Sequence, residues 1–322
     1  MGSRVGLSRR QWAPAALASL AACRQASAPL SRPRVLISRA LVYDDSLYSI
    51  VRRMLEELRP PVAGKRVLLK PNLVEFDPST SINTHPLFVH AVLEGFLALG
   101  ASSVRIAEGP GHRRITMDLA ESAGYFGLVP RFDELFIDLN LDDCSRVELV
   151  KPLSLLQELF VPNTVLSADI VVSLPKLKTH HWATATLSMK NLFGIVPGAV
   201  YGWPKNILHW AGIAESIVDL YKLLPNCFAI VDGIDGMEGN GPIQGTRTFA
   251  GVIIAGSHLP AVDATACRVM GIDPLKVPYL TLTSPPRQLE EEAIQQVGEP
   301  VRAVAKEFSL LPPFQHMRWK PA

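Results

Sequence analysis

Cationic side chains are concentrated in one short stretch of the sequence, LPKLKTHHWATATLSMKNLFG, residues 174–194. Lys176, Lys178, His180, His181 and Lys190 follow the apolar run of residues 169–173, which has the composition of a buried strand. Buried charge costs free energy unless it is paired or bound to a ligand, and a surface loop would contain more Glu, Ser and Gly. The stretch therefore either binds an anion or neutralises acids elsewhere in the chain.

Three further predicted strands end in loops that combine Gly or Pro with ionisable residues. These loops are Lys70-Pro71-Asn72, Glu108-Gly109-Pro110-Gly111-His112 and the acidic, Gly-rich run of residues 232–242, which contains Asp232 and Glu238. In open α/β sheets, ligands bind beyond the carboxyl ends of the strands. Four such loops at corresponding positions indicate one shared cleft.

The loops supply two sets of opposite charge. The basic set is Lys70, Lys176, Lys178, Lys190 and His180, and the acidic set is Glu108, Asp232 and Glu238, with Asp263 as a further candidate. Lysines removed from water in such a cleft have lowered pKa values and can act as bases. The predicted catalytic residues are Lys178, Lys190, His180, Glu108 and Asp232, and the predicted ligand-binding residues are Lys70, Asn72, Lys176, Asn191, Gly109 and Glu238.

Each loop also has an ordinary structural explanation. The stretch after Lys70 fits a strand end with an Asx turn, and Glu108 could complement a helix dipole. Lys190 lies in a helix-like segment, residues 184–193, where an exposed lysine is the commonest outcome. His180 and His181 are neighbours that point opposite ways in an extended chain, so at most one of them is expected to be a ligand, and a metal site built on the pair is not expected.

Motifs for known cofactors are absent from the sequence. It contains no G-x-S-x-G, P-loop or G-x-G-x-x-G motif, and the Gly-rich loop lacks the spacing of an EF-hand. Cys144, Cys227 and Cys267 have no C-x-x-C spacing, so there is no iron–sulfur motif in this chain, and the last two lie in apolar contexts typical of buried cysteine. A divalent metal ion is left open as a cofactor.

Strand and helix patterns alternate along the chain. We predict strands at residues 35–38, 66–70, 104–107, 165–174, 227–231 and 249–255, with weaker ones at 136–138 and 147–149. We predict helices at residues 46–58, 87–99, 117–123, 207–224 and 261–270, and an acidic helix near 289–297. Apolar strands alternating with helices predict an α/β fold with a mostly parallel, doubly wound (Rossmann-like) sheet and helices on both faces. Residues 34–275 would form this domain, followed by a partly helical C-terminal extension at 276–322.

The first residues carry the pattern of a targeting segment. Arg9 and Arg10 precede a short apolar region, which is typical of a Tat-type export signal. The run that ends in Cys23, Leu-Ala-Ala-Cys, is similar to the lipobox of bacterial lipoproteins, in which the cysteine is acylated. Residues 1–23 are therefore predicted to be a signal segment and residues 24–33 a tether, with a basic disordered leader as the alternative. The protein would then be lipid-anchored at Cys23 in the cell envelope, facing the periplasm.

Composition narrows the classes of partner. The 322 residues are 48% hydrophobic, and no apolar stretch reaches the roughly 20 residues that a membrane span needs. The net charge is +2, and residues 1–22 contribute three arginines and no acids, so a mature chain would have 29 basic and 30 acidic residues and a net charge of −1. A nucleic-acid partner therefore has no electrostatic support.

Seven motifs together resemble one family. They are LLKPNLV (68–74), THP (84–86), GAxxVRIAEGPG (100–111), PKLKTH (175–180), MKNLFG (189–194), VDGIDGMEGNGP (231–242) and AVDA (261–264). In this order they resemble the domain of unknown function 362 family over residues 34–272. Some members of that family are associated with iron–sulfur proteins through a Cys-rich module, which this chain lacks. The resemblance supports the site residues above and implies no particular reaction.

Three functions are compatible with the sequence. The first is an enzyme that acts on a small anionic molecule, because acids and lysines gathered at strand ends are typical of acid–base chemistry. The second is an envelope lipoprotein that binds a ligand without catalysis. The third, implied only by the family resemblance, is an accessory to an iron–sulfur redox system.

Overall fold

The computed structural model describes residues 32–112 and 115–320. The predicted signal segment with Cys23, and all but the last two residues of the predicted tether, lie outside the described residues. Within the part that is described, none of the helices is long and apolar enough to cross a bilayer.

Ten strands form one mixed sheet, and two more form a separate antiparallel pair. The strands are β1 (Arg34–Arg39), β2 (Arg66–Pro71), β3 (Ser103–Glu108), β4 (Phe136–Asp138), β5 (Cys144–Glu148), β6 (Glu158–Pro162), β7 (Ile170–Leu174), β8 (Lys176–His180), β9 (Thr184–Thr186), β10 (Cys227–Glu238), β11 (Thr246–Gly256) and β12 (Gln295–Gly298). The main sheet has the order β12-β1-β11-β10-β7-β2-β3-β4, with β8 paired to β10 and β9 paired to β8. Strands β10, β7, β2, β3 and β4 are parallel to one another, while β11 runs antiparallel between β1 and β10. The predicted mostly parallel α/β sheet is confirmed.

Helices connect the strands. They are α1 (Ser46–Leu58), α2 (Pro86–Ala98), α3 (Thr116–Ser122), α4 (Tyr125–Leu128), α5 (Phe132–Leu135), α6 (Asn163–Ser167), α7 (Ser188–Asn191), α8 (Gly198–Tyr201), α9 (Ile207–Trp210), α10 (Ile213–Leu223), α11 (Leu259–Val269), α12 (Pro278–Thr283), α13 (Pro286–Leu289) and α14 (Val301–Val304). Helix α1 covers the predicted residues because its apolar positions recur at helical spacing and form one buried stripe. His85 caps α2, since its Nδ1 accepts a hydrogen bond from the amide of Leu87 at 3.2 Å.

Alternation along the strands divides the core between the two faces of the sheet. In β2, Val67 and Leu69 belong to the cluster packed beneath α1 and α2, whereas Leu68 belongs to the cluster that contains apolar residues of α10 and α11. Successive strand residues point to opposite faces, so a strand buried on both sides must be apolar throughout. This explains why the parallel strands read as continuous apolar runs.

Four predicted elements differ from the observed ones. The predicted strand 165–174 is the short helix α6 followed by β7, and the predicted helix 207–224 is divided into α9 and α10 around Gly212, whose φ is +102°. The predicted acidic helix near 289–297 ends as β12, which pairs in parallel with β1. The run 232–242 is not a loop from its beginning, because β10 continues to Glu238 and pairs with β11. Glycine-rich sequence alone suggested a turn there, but cross-strand pairing outweighs that local tendency.

Residues 276–320 complete the same structural unit. Strand β12 extends the sheet at its edge, and Val301, Phe308 and Met317 are buried in the core on one face. Residues from Arg32 onward form one compact unit. The predicted C-terminal extension is thus integral to the core.

Candidate functional site

A cavity of about 430 Å³ lies at the carboxyl edge of the parallel strands. Eight of the eleven predicted site residues line it, namely Lys70, Asn72, Glu108, Gly109, Lys178, His180, Lys190 and Asn191. They come from the ends of β2 and β3, from β8 and from α7. These elements are distant in sequence, and the parallel sheet brings them together because its strands end at one edge.

Lys70 and Glu108 form a buried ion pair on one wall of the cavity. The distance from Nζ to Oε2 is 2.5 Å, and both side chains are at most 2% exposed. The carboxylate also accepts hydrogen bonds from the amides of Leu73, at 3.3 Å, and Gly109, at 2.9 Å. Burial lowers the pKa of Lys70 and the adjacent carboxylate opposes that change. Glu108 is therefore already neutralised within the protein.

Gly194 closes against this ion pair. A Cβ atom built on Gly194 would overlap Oε1 of Glu108 and would lie 2.6 Å from Nζ of Lys70. A Cβ on Gly109 would similarly lie 2.8 Å from the carbonyl oxygen of Gly194. Only glycine at these two positions lets the segments that carry them approach so closely, which gives the Gly residues of the EGPG and KNLFG motifs a physical reason.

Three other lysines of the cavity have no carboxylate partner among residues 32–112 and 115–320. Nζ of Lys178 donates to the carbonyl oxygens of Ile82, at 2.8 Å, and Pro242, at 3.2 Å, and Nζ of Lys205 donates to the carbonyl oxygen of Gly109 at 2.7 Å.

The ammonium group of Lys190 lies 3.7 Å from the centroid of the Phe193 ring. Lys178, Lys190 and Lys205 are at most 9% exposed, and among the described residues none of the three forms an ion pair.

Burial depresses the basicity of these lysines. It lowers the pKa of Lys190 to about 7, with a smaller contribution from the nearby charge of Lys70, and it lowers the pKa of Lys205 to about 7. The pKa of Lys178 is well below its ordinary value, chiefly through burial and then through Lys176 and Lys190. Lys190 and Lys205 therefore exchange protons at neutral pH, and a bound anion would favour the charged forms of all three lysines.

The two histidines of the THHW sequence both line the cavity. Nδ1 of His180 accepts hydrogen bonds from the amides of Trp182, at 3.0 Å, and Ala183, at 3.2 Å, so Nε2 carries the proton in the neutral ring. Burial, and then Lys190, lowers the pKa of His180 well below its ordinary value. The two side chains do not point opposite ways: their ring centroids are 4.9 Å apart, because β8 ends at His180 and a turn replaces the alternation of an extended strand. That at most one of them binds a ligand stays a prediction.

Several polar side-chain atoms of residues that line the cavity have no hydrogen-bond partner in the part of the chain that the structure describes. Oδ1 of Asn72 and Oγ1 of Thr186 are unpartnered, and the two residues are 6% and 4% exposed. Nδ1 of His209 is also unpartnered. Unpartnered buried polar atoms are rare and costly. Their location in one cavity indicates a place for a polar ligand.

Asp263 lies behind the cavity and positions Lys190. Its carboxylate accepts hydrogen bonds from the amides of Ser188, at 2.8 Å, and Met189, at 3.1 Å, at the start of α7. The hydroxyl of Tyr279 donates to the same carboxylate at 3.3 Å. Burial raises the pKa of Asp263 to about 6. The residue does not line the cavity, and its role is to fix the turn that carries Lys190.

Three predicted site residues lie elsewhere. Asp232 is opposite Lys176 in the β8–β10 register and forms a buried ion pair with it at 2.7 Å. Asp232 does not line this cavity, and Lys176 lines a different cleft, beside Tyr43. The Asp232 carboxylate also accepts hydrogen bonds from the hydroxyl of Tyr43, at 2.8 Å, and the amide of His85, at 2.9 Å. Glu238 accepts a hydrogen bond from the amide of Ser309 at 2.9 Å. The expectation that these residues share the cleft is corrected, because β10 continues as a strand beyond Asp232.

Sequence reasoning missed several residues that line the cavity, among them Thr186, Gly194, Lys205 and His209. Gly194 belongs to the KNLFG motif, but the spacing of that motif does not indicate that the glycine lines the cavity. Lys205 is an isolated lysine in the stretch GWPKN, and its backbone amide donates to the carbonyl oxygen of Gly111 at 3.3 Å. No local sequence pattern predicts that hydrogen bond.

The described residues contain no group of three or more His, Cys, Asp or Glu side chains placed to hold a metal ion. The donors that converge on the cavity are lysine ammonium groups, amides and neutral imidazole. Such donors suit an anion.

Together the fold and the cavity define an α/β protein with a lysine-lined cavity at the carboxyl edge of its sheet. The chain belongs to the family described as domain of unknown function (DUF362), whose family model matches residues 67–268. This confirms the resemblance drawn from the motifs. The thylakoid-associated protein sll1697 of Synechocystis sp. is 30% identical to this chain over 258 residues, which cover 73% of each protein.

A solved structure also resembles the chain in part. The lactate racemase apoprotein from Thermoanaerobacterium thermosaccharolyticum has 16% sequence identity and a TM-score of 0.45, and the match covers 74% of this chain. The chain spans 57% of the length of that structure.

Proposed function

We propose that the cavity binds a small molecule bearing a carboxylate or phosphate, and that the protein is an enzyme acting on it. The observation that carries this proposal is the set of three buried lysines, Lys178, Lys190 and Lys205, which surround one cavity without forming an ion pair among the described residues. Buried charge without a counter-ion is costly. An anion in the cavity supplies the counter-charge, and the unpartnered Asn72 and Thr186 supply further polar contacts.

The chemistry that these groups support is general acid–base catalysis. Lys190, with a pKa of about 7, is present in both the neutral and the charged form at neutral pH and can take a proton from a bound substrate. His180 presents Nε2–H as a donor to a substrate oxygen, because its Nδ1 is occupied by two backbone amides. Glu108 is held by Lys70 and serves the site as a fixed counter-charge rather than as a free base.

Export and lipid attachment at Cys23 form a second part of the proposal. It is supported by the twin arginine and the Leu-Ala-Ala-Cys run, and by the relative sll1697, which is named as a thylakoid-associated protein. Both point to a protein that works at a membrane surface.

The anion proposal is tested by ligand-induced stabilisation. Inorganic phosphate, acetate and larger organic anions are screened for a rise in melting temperature, since a ligand at a hundredfold excess over Kd adds about 2.7 kcal/mol to the free energy of unfolding. Lys178→Met and Lys190→Met should remove the effect, and Lys222→Met, at an exposed position, should keep it. Retention of the full effect in both cavity variants would place the binding site elsewhere. Turnover of the bound anion supports the enzyme, whereas saturable binding without turnover assigns a ligand-binding protein instead.

A further inference from the structure

The cavity combines buried lysines with an exposed aromatic residue. Lys178, Lys190 and Lys205 are buried, whereas Trp182, which lines the same cavity, is 62% exposed and marks its opening to solvent. The exposed lining also includes the polar residues His112, Asn240 and Gln244. The apolar part of the lining comprises Leu73, Val74, Phe193, Leu208 and Ile243.

Aromatic rings lead from the opening to the buried lysines. The ring centroids of Trp182 and His209 are 5.3 Å apart, and those of His209 and Phe193 are 5.8 Å apart, both in edge-to-face geometry. The Phe193 ring in turn carries the ammonium group of Lys190, 3.7 Å from its centroid. On the other side of Trp182, the His181 ring lies 4.6 Å away. These rings form one continuous aromatic wall.

Three rings of the aromatic wall are uncharged at neutral pH. Burial lowers the pKa of His209 to about 4, helped by Lys190, so its ring is neutral. Trp182 and Phe193 carry no charge. These three rings therefore offer uncharged faces and edges beside the buried lysines.

The volume exceeds what a minimal anion needs. About 430 Å³ falls within the roughly 300–1,000 Å³ of pockets that enclose drug-sized ligands. Phosphate or acetate at the lysines would leave the aromatic wall without a partner. A ligand with a planar apolar body would contact both the lysines and the wall, since aromatic pairs in edge-to-face or offset geometry gain energy beyond the area they bury.

From this arrangement we infer that the substrate is an organic anion with an aromatic body, whose carboxylate or phosphate lies among Lys178, Lys190 and Lys205 while its ring lies against Trp182 and His209. This inference rests on the proposed function and narrows it to a class of substrate. The inference concerns binding alone: the affinity for the ligand and the residues that determine this affinity.

The test compares matched anions. Dissociation constants are measured by calorimetry for inorganic phosphate and phenyl phosphate, and for 3-phenylpropionate and 3-cyclohexylpropionate. We expect the aryl compound to bind about tenfold more tightly than its partner in each pair, which corresponds to about 1.4 kcal/mol. Equal affinities for phosphate and phenyl phosphate would overturn the inference and leave the proposed function standing. Absence of binding by all four anions would overturn both.

Two tryptophan variants locate the aromatic contact. Trp182→Ala should weaken phenyl phosphate about tenfold and leave inorganic phosphate unchanged. Trp210→Ala is the matched control, because Trp210 is 76% exposed and does not line the cavity. Lys190→Met should weaken both anions. An equal loss for both anions in Trp182→Ala, or an equal effect of Trp210→Ala, would contradict an aromatic subsite at Trp182.

Discussion

Lys70 and Glu108 occupy the carboxyl ends of two adjacent parallel strands and pair at 2.5 Å while almost fully buried. Breaking a buried pair by removing one partner leaves an uncompensated charge and costs about 3–5 kcal/mol. This pair is the fixed electrostatic element of the site, because the other cavity lysines have no such partner among the described residues. Its strength decides how rigid the wall around the cavity is.

Glu108→Gln should therefore lower the free energy of unfolding by about 3 kcal/mol or more. Glu56→Gln is the control, since Glu56 forms an exposed i,i+4 pair with Arg52 that is worth at most about 0.5 kcal/mol. Urea denaturation of both variants checks the difference. If the two substitutions had similar small effects, Lys70 would have to lose its charge readily when unpaired.

Gly194→Ala should be strongly destabilising for a related reason. The new Cβ would overlap the carboxylate of Glu108 and approach the ammonium group of Lys70, so the pair would separate or the backbone would shift. Overpacking of this kind costs about 1–3 kcal/mol before any loss of the ion pair is counted. Gly127→Ala is the control, because a Cβ there meets nothing within 4 Å. Equal melting temperatures for the two variants would contradict the close packing at Gly194.

The spacing of apolar residues along the chain correctly predicted the helices and strands that depend mainly on local sequence. Helix α1 and strand β2 follow from apolar spacing, and the position of Lys70 and Glu108 at strand ends follows from the parallel sheet. The position and ion-pair partner of Asp232 could not be predicted from local sequence. Its ion pair with Lys176 depends on the register of β8 with β10, which is a non-local property.

The full set of residues that line the cavity could not be predicted from the sequence either. Lys205 reaches the cavity from a segment between α8 and α9, and its amine contacts the carbonyl oxygen of Gly109, 96 residues earlier. Asp263 resembled a site acid in type and context, yet it binds the amides at the start of α7 instead of facing the cavity. The roles of Lys205 and Asp263 depend on long-range packing of loops against strands, which local sequence does not determine.

Lipid attachment at Cys23, which lies outside the described residues, is tested by mass analysis and cell fractionation. Intact-mass analysis of the membrane fraction should show a chain that begins at a lipidated Cys23, and Cys23→Ala should move the protein to the soluble fraction. Arg9→Lys with Arg10→Lys should retain the unprocessed precursor, because a Tat-type signal requires the arginine pair. A soluble mature chain with another first residue would exclude the lipoprotein and leave only export.

Stability should rise with pH above neutrality because of the buried lysines. Lys190 has a pKa of about 7 in the folded protein against an ordinary 10.5. The folded state therefore binds fewer protons than the unfolded state between these values, and the free energy of unfolding increases with pH across that window, by at most about 1.4 kcal/mol per pH unit for each such lysine. Below pH 7 both states are protonated and the burial penalty is complete.

Urea denaturation between pH 7 and pH 9 measures this slope. Burial raises the pKa of the Cys227 thiol to about 12, so Cys227 opposes this slope as the pH approaches 9, and it does so equally in the wild type and in the variants. Lys190→Met should be at least as stable as the wild type at pH 7 and should show a shallower slope, while the exposed control Lys222→Met should keep the original slope. A slope that Lys190→Met leaves unchanged would mean that Lys190 is not the titrating group.

Anion binding should take up protons above neutral pH. At pH 8 a lysine with a pKa of about 7 is mostly neutral, and a bound anion raises its pKa, so each of Lys190 and Lys205 would gain a fraction of a proton on binding. The binding enthalpy of phenyl phosphate at pH 8 should then differ between HEPES and Tris by the difference in buffer ionisation enthalpy multiplied by the protons gained. The affinity should fall as pH rises from 7 to 9, by up to about tenfold per unit for each proton linked to binding. Lys190→Met should remove its share of the uptake, and identical enthalpies in the two buffers would show that no cavity lysine is neutral before the anion binds.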